Sequence, residues 1–477
     1  MELIFEKSMS GRRGVDAGTP KNNIKLGVKF SRTEDSKLPE LSELDVVRHF
    51  TKLSRKNFSV DTHFYPLGSC TMKYNPKVNE VAAALPGFAG LHPITGQLMP
   101  EAAQGALEVV YEISSQLCEI TGMAGFTTQP YAGAHGELTG IFIIAAYHKA
   151  KGNKKKYIIC PEAAHGTNPA SAAMGGYEVI SIPVDAEGEM DLDLFKAKMT
   201  NEVAGVMMTM PNTVGIFHKR VIKIIEIAHK FDALMYYDGA NLNAILGKVR
   251  PGDIGFDVMH VNLHKTFSTP HGGGGPGSGM VGVGKNLLEF LPSPCVRKNV
   301  EGKFFQCTNE NSIGPVASFY GNFGVLLKAY TYILMLGREG IIDATEMAVL
   351  NANYVMAKLK EYYYLPYDRS CMHECTFSAR NQVKNGVHAL DIAKALIDRG
   401  IHPPTIYFPL VVEEAIMIEP TETESRETLD EFIAAMIDIA KLASTAPEKI
   451  KSSPNTTEIS RPDETKAAKE VKTICEQ

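Results

Sequence analysis

The chain has 477 residues, 44% hydrophobic and 22% charged, which is an ordinary balance for a globular protein. Its 49 Lys and Arg against 54 Asp and Glu leave a net charge near −5. That argues against a broad basic face for nucleic acid and against a polybasic membrane anchor. A length of this order suggests about three domain-sized units and buries a core without disulfides or structural metals. Cys70, Cys118, Cys160, Cys295, Cys307, Cys371, Cys375 and Cys475 are scattered, with no Cys-x-x-Cys, and read as reduced thiols. The start, Met1 to Lys7, carries acids and no apolar core, so no secretory signal is expected. Apolar stretches such as 140–147 fall far short of the roughly 20 residues that span a bilayer. The expected setting is the cytoplasm, with neither membrane nor nucleic acid as a partner.

Residues 1–100 read as an arm. Helical spacing at 41–58, through Leu44, Val47, Phe50 and Leu53, leads into the turn-rich, aromatic segment 61–70. Such a segment has no core of its own and is expected to lie across another surface. Residues 101–319 read as a large domain. Within it, strands at 156–160, 178–182, 204–209, 233–238, 258–262 and 279–283 alternate with helical stretches at 136–149, 192–199 and 219–231. That alternation predicts an α/β fold with a mainly parallel, doubly wound sheet, in which ligands gather at the carboxyl ends of the strands. Residues 320–340 read as a buried linking helix. A smaller α/β domain is expected over 341–446, with a helix at 387–397 and strands at 405–412 and 415–418. The polar stretch 447–477 reads as a loosely held tail.

The densest chemical signal is Asn262-Leu263-His264-Lys265-Thr266 running into Pro270-His271-Gly272-Gly273-Gly274-Gly275-Pro276-Gly277. No Gly-Lys-Ser/Thr closes the glycine run, so it is not a phosphate-binding P-loop. Upstream, Asp238 ends one apolar strand and Thr209 another. His165 follows a third, and Tyr131-Ala132-Gly133-Ala134-His135-Gly136-Glu137 opens a helix. A pyridoxal phosphate (PLP) site needs these parts. They are a lysine amine for a Schiff base, a carboxylate facing the pyridinium nitrogen, a flat side chain against the ring and a helix N-terminus for the phosphate. Singly, each residue has a plainer reading. Asp238 serves equally as a helix cap, His165 as a buried hydrogen-bonded histidine and Glu137 as a first-turn acid. His260 and His264 are spaced for metal only on a helix, and His373 with Cys371 and Cys375 lacks a second ligand pair. In this order and spacing, the set favours PLP.

These segments resemble the PLP-binding core of the glycine cleavage system P-protein family. The resemblance rests on Asp238-Gly239-Ala240-Asn241, Arg250-Pro251-Gly252-Asp253, Asn262 to Phe267 and the glycine run. Phe64-Tyr65-Pro66-Leu67-Gly68-Ser69-Cys70-Thr71-Met72-Lys73-Tyr74-Asn75-Pro76 and His165-Gly166-Thr167-Asn168-Pro169-Ala170-Ser171 add to it. It runs from about residue 40 to about residue 430, and it covers only the lysine-bearing half of long, two-half P-proteins. The resemblance implies a PLP-dependent transferase fold of type I. It also implies decarboxylation of glycine with transfer of the aminomethyl group to the lipoyl arm of H-protein, a homologous subunit 1 as partner, and an α2β2 heterotetramer. By resemblance, Lys265 is the Schiff-base residue, Asp238 the pyridinium partner and His165 the stacking group. Gly133, Ala134 and His135 form the phosphate loop, and Thr209, Asn241 and His264 line the cofactor. Two rivals are another type I PLP decarboxylase or lyase and a non-catalytic partner subunit; Lys265 together with Asp238 speaks against the second.

Overall fold

The computed structural model describes residues 2–15, 18, 27–34, 36–272 and 275–471. Gly273 and Gly274 of the glycine run, and Cys475, lie outside the described residues. The chain forms two compact units, Met1–Thr62 and His63–Gln477, so residues 63–100 fold with the second. In the first unit a helix spans Glu43–Ser54. Ser42 starts it with a capping box: the Asp45 amide donates to the Ser42 hydroxyl, and the Ser42 amide donates to the Asp45 carboxylate. The apolar stripe of Leu44, Val47, Phe50 and Leu53 forms as its spacing predicts, but all four side chains are exposed.

Among the described residues of the second unit, seven strands make one sheet. They are β1 (Gly125–Thr127), β2 (Tyr157–Pro161), β3 (Glu178–Ile182), β4 (Val203–Thr209), β5 (Leu234–Gly239), β6 (Val258–Asn262) and β7 (Gly279–Val283), in the order β1-β7-β6-β5-β4-β2-β3. Every pairing from β3 across to β6 is parallel, while β7 runs antiparallel to β6 and to β1. The parallel strands are joined by covering segments that include the helices Thr167–Met174, Leu192–Lys198 and Val221–Lys230. Among the described residues between β6 and β7 there is only a four-residue helix, Leu263–Thr266, and β7 returns antiparallel. β4, β5 and β6 are buried along their whole length, which is why they read as unbroken apolar runs.

The expected linking helix runs from Phe323 to Leu336 and breaks at Gly337 (φ 61°, ψ −170°), a backbone conformation that glycine adopts without steric cost; a second helix continues from there to Leu359. Its far half supplies Ala352, Val355 and Leu359 to a second core with Phe377, Ile416 and Phe432. That core lies under a small antiparallel sheet of β10 (Cys375–Ser378), β11 (Thr405–Ile406) and β12 (Ala415–Ile418), ordered β10-β12-β11. β11 stops well short of the predicted 405–412 because Tyr407 turns into the left-handed region (φ 58°) and Pro409 has no amide to donate. Between the two sheets in sequence lies a two-stranded ribbon, β8 (Cys295–Lys298) with β9 (Phe304–Cys307). Among the described residues no helix is long and apolar enough to cross a membrane.

The start of the expected loose tail is packed. Pro447–Lys451 is helical, Ile450 is 1% exposed within the small core, and Arg461 reaches Asp391 at 2.7 Å. Ile450→Ala should therefore cost about 2–5 kcal/mol, as for a buried aliphatic truncated in a packed core. A chain ending at Pro462 should lose almost nothing. Urea unfolding of the two proteins measures the contrast.

Candidate active site

Three neighbouring strands end in polar residues at one edge of the sheet: Thr209 on β4, Asp238 on β5 and Asn262 on β6. Asp238 is 2% exposed, yet it is fully supplied with donors. Asn168 Nδ2 and Thr209 Oγ1 donate to its Oδ2 at 3.2 and 3.0 Å, and the Ala240 amide donates to its Oδ1 at 3.0 Å. His260, its register partner on β6, brings Nε2 to 3.3 Å from Oδ1, and the other ring nitrogen meets Tyr236 Oη at 2.7 Å. Burial alone would raise the Asp238 pKa. The His260 and Lys265 charges and the Ala240 and Thr209 hydrogen bonds outweigh it and hold the carboxyl below the usual range.

Lys265 sits one helical turn past the end of β6 and is half-buried. Its amine makes no hydrogen bond or ion pair with any described residue, while its charge acts on Asp238, Glu137, His165, Cys70, Glu374 and Glu419. The helix Gly133–Ala150 begins beside it in the sheet layer. Its first intrahelical bond joins the Gly136 amide to the Ala132 carbonyl, so the amides of Gly133, Ala134 and His135 have no acceptor within the helix. Close approach requires the glycines here. A Cβ on Gly133 would lie 2.9 Å from the Asn262 amide group, and one on Gly279 would overlap the Ala132 carbonyl.

PLP offers an aldehyde, a ring nitrogen that binds a proton, and a phosphate. An unbonded amine, a buried ionised carboxylate and a helix N-terminus with free amides are their three complements, so the residues present fit the group.

The other predicted residues take distinct places. His165 accepts the Thr167 amide through Nδ1 and has its ring 5.6 Å from that of Phe408; partial burial and then the Lys265 charge push its pKa down. His135 turns back to accept the Tyr131 amide at 3.2 Å, leaving its own amide to the loop. His264 accepts the Ser278 amide at 3.3 Å and meets His271 edge-on, and burial lowers its pKa to about 3. Asn241 points away from Asp238 and donates to the Pro211 carbonyl and to Glu374.

Glu137 is not the first-turn acid of its simplest reading. It lies in the second turn, buried, accepting from Thr167 (2.8 Å) and Ser171 (3.4 Å), and burial followed by the Asp238 charge pushes its pKa to about 8.

Sequence reasoning also missed the acids that hold the arm. Glu374, just before β10, and Glu419, just after β12, are fully buried. Ser69 donates its amide to Glu374 at 2.8 Å; Thr71 donates its amide and its hydroxyl to Glu419 at 3.0 and 2.5 Å. Both arm residues have positive φ (64° and 47°), a strained state for a non-glycine residue that the two carboxylates secure. Burial, then the charge of Glu419, raises the pKa of Glu374. Lys73 follows with Nζ on Glu422 (2.7 Å) and on the Thr266 carbonyl (2.8 Å), next to Lys265.

Two expectations follow. A carboxyl whose folded pKa is raised loses folding stability as pH climbs from its ordinary value of 4.5 through about 8. Glu137→Gln has no such loss, so without added cofactor its Tm should gain on the native protein's between pH 5 and pH 9. An equal gap at both pH values would contradict the shift. Lys73→Met should cost about 3–5 kcal/mol by leaving the largely buried Glu422 carboxylate with only the Tyr332 hydroxyl at 3.4 Å, and adding Glu422→Leu should recover most of it.

Residues 16–301 match the family "Glycine cleavage system P-protein", and residues 344–460 match "Glycine dehydrogenase, C-terminal domain". Over 473 residues the chain is 54% identical to a probable glycine dehydrogenase (decarboxylating) subunit 2 of Caldanaerobacter subterraneus subsp. tengcongensis, covering 98% of this chain and 97% of that one. It is 53% identical to the protein so described in Bacillus cytotoxicus, covering 98% and 96%. Among solved structures, an inhibitor-bound glycine decarboxylase (P-protein) of the glycine cleavage system superposes with a TM-score of 0.71 at 21% identity, over 86% of this chain and 92% of that one. A cysteine desulfurase from Thermococcus onnurineus superposes at 0.59 with 16% identity, over 80% and 95%. These two likenesses place the fold among the type I PLP-dependent enzymes. With full-length relatives above half identity and a family match over most of its length, the chain belongs to the glycine cleavage system P-protein family.

Proposed function

We propose that this chain is the lysine-bearing subunit of a split P-protein, which uses PLP to decarboxylate glycine and passes the aminomethyl group to the lipoyl arm of an H-protein. The observation that carries the reading is Lys265: an unbonded amine at the sheet edge, within the field of a buried, ionised Asp238. PLP, when bound, supplies an electron sink for the bond to the departing carboxylate. The chain does the rest. Lys265 Nζ tethers the cofactor, and the Asp238 carboxylate holds a proton on the ring nitrogen. Asn168 and Thr209 fix the direction in which that carboxylate points. Glu137, with a pKa near 8, keeps its own proton at neutral pH and leaves Asp238 as the single negative charge on the floor. His165 offers a flat, neutral ring, and the amides of Gly133 to His135 offer a phosphate seat. The arm from Ser69 to Asn75 covers the lysine loop and excludes water.

A homologous subunit 1, an α2β2 assembly and a cytoplasmic setting complete the proposal. The exposed apolar side chains of Leu44, Val47, Phe50 and Leu53 in the first unit and, taken by themselves, those of Val78, Val81 and Leu85 in the second support partner contacts. Glycine–bicarbonate carbon exchange with H-protein, with and without subunit 1, tests the reading. Activity should require both chains, and Asp238→Asn should lower it by about a hundredfold or more while PLP still binds. Borohydride should fix the cofactor to the peptide bearing Lys265. Full exchange from this chain and H-protein alone would refute the split, and a label on another peptide would refute the site.

A further inference from the structure

The two cysteines of the β8–β9 ribbon are twelve residues apart in sequence and directly opposed in space. Cys295 and Cys307 are register partners, and their Sγ atoms approach to 2.9 Å. Each sulfur also reaches the other strand's carbonyl, Cys295 to Cys307 at 3.4 Å and Cys307 to Cys295 at 3.5 Å. Opposed residues of an antiparallel pair have Cα atoms about 4.5 or 5.5 Å apart. A disulfide accepts Cα separations of about 4.4–6.8 Å, so a bond can close here without moving the backbone. Both residues are partly buried, and Cys295 lines a small surface cavity with Ser114, Phe126, Thr128 and Tyr320.

The position is also connected to the site. Gln129 donates to the Pro294 carbonyl, before β8, at 3.2 Å and accepts the Val316 amide, after β9, at 2.9 Å. Ser318 then donates to Tyr131 Oη and Asn322 to the Gly277 carbonyl, at the rim of the loop that opens the Gly133–Ala150 helix.

We propose that Cys295 and Cys307 are a redox modification site that closes reversibly to an intrachain disulfide, with a low-molecular-weight disulfide such as oxidised glutathione as oxidant. One cysteine, as thiolate, attacks the external disulfide; its S–S bond breaks, one small thiol leaves and a mixed disulfide forms. The second cysteine attacks the protein sulfur of that mixed disulfide and releases the second small thiol. Two electrons and two protons pass from the protein to the oxidant, and one S–S bond replaces another. Burial and then Cys307 raise the Cys295 pKa to about 12, so Cys295 is kept as a thiol at neutral pH and closure should quicken as pH rises.

The test uses the full chain, incubated with oxidised glutathione, blocked with iodoacetamide and digested with trypsin without reductant. Mass spectrometry should find peptide 286–297 joined to peptide 304–328, two hydrogens lighter than the separate pair and split again by dithiothreitol. Native oxidised protein should be cut more slowly by trypsin at Lys298 and Lys303 than the reduced form. Cys295→Ser and Cys307→Ser should each lose the cross-link and leave the remaining cysteine as a glutathione mixed disulfide. Alkylation of both thiols after oxidation, mixed disulfides at both positions, or a bond from either to another cysteine would overturn the proposal. None of these readouts depends on the glycine reaction.

Discussion

The site is built around one negative charge in a place where charge is costly. Asp238 lies at the end of a strand buried on both faces, where an unpaired carboxylate would take up a proton instead of remaining ionised. It remains ionised because four elements supply it from different directions. These are the helix that carries Asn168, the end of β4 with Thr209, the turn at Ala240 and β6 with His260. The Thr209 and His260 contacts depend on a parallel register that brings Thr209, Asp238 and His260 to one level across three strands. Glu137 is close enough to feel the same charge and gives way: it holds its proton, and Thr167 and Ser171 satisfy it. Two neighbouring acids with pKa values driven in opposite directions leave one carboxyl protonated beside one carboxylate.

Much of this was legible in the sequence because the information is local. β3, β6 and β7 have the predicted bounds, since each is a short β-branched or apolar segment set off by polar or turn residues. Asp238 and Lys265 were legible for the same reason, each standing where a run ends. What was hidden depends on pairing across space. His260 read as half of a poor metal pair, and its meaning comes from being the neighbour of Asp238 on the next strand. Glu374 and Glu419 are separated by most of the small unit and meet only because β10 and β12 pair antiparallel, Cys375 opposite Ile418. The approach of Cys295 to Cys307 was equally invisible, because two scattered thiols become neighbours only once a hairpin forms. β11 failed for a local reason: apolar composition was weighed above Pro409, which cannot donate to a ladder.

The arm and the lysine loop constrain each other. The Ser268 hydroxyl donates to the Tyr74 carbonyl, Asn75 donates back to the Ser268 carbonyl, and Lys73 donates to the Thr266 carbonyl. Lys265 is therefore followed at once by two residues, Thr266 and Ser268, tied to the arm through these three bonds, with Ser268 itself in the left-handed region (φ 55°). The arm in turn is bound to the small unit. Leu67 bridges to Ile418 beside β12, Gly68 passes against Met417 where a side chain would collide, and Glu374 and Glu419 take the amides of Ser69 and Thr71.

These ties make the lysine loop, the arm and the small sheet one mechanical element. Positive-φ conformations at Ser69, Thr71 and Ser268 cost of order 1–3 kcal/mol each, so they persist only where surrounding contacts over-determine them. The contacts that do so come from the far ends of the chain, residues 66–75 on one side and 374–422 on the other, and they meet on either side of Lys265. A fault in the packing of the small unit is thereby felt first as slack in the arm, and then as slack in the loop that carries the amine. The two successive helices of Phe323–Leu359, broken at Gly337, join the same parts, with Tyr332 of the first hydrogen-bonded to Lys73 and Val355 of the second in the small core. The parallel sheet fixes where Asp238 stands; this second set of contacts fixes where Lys265 stands relative to it. The site requires both, and that accounts for an arm and a second core that add no strand to the seven-stranded sheet.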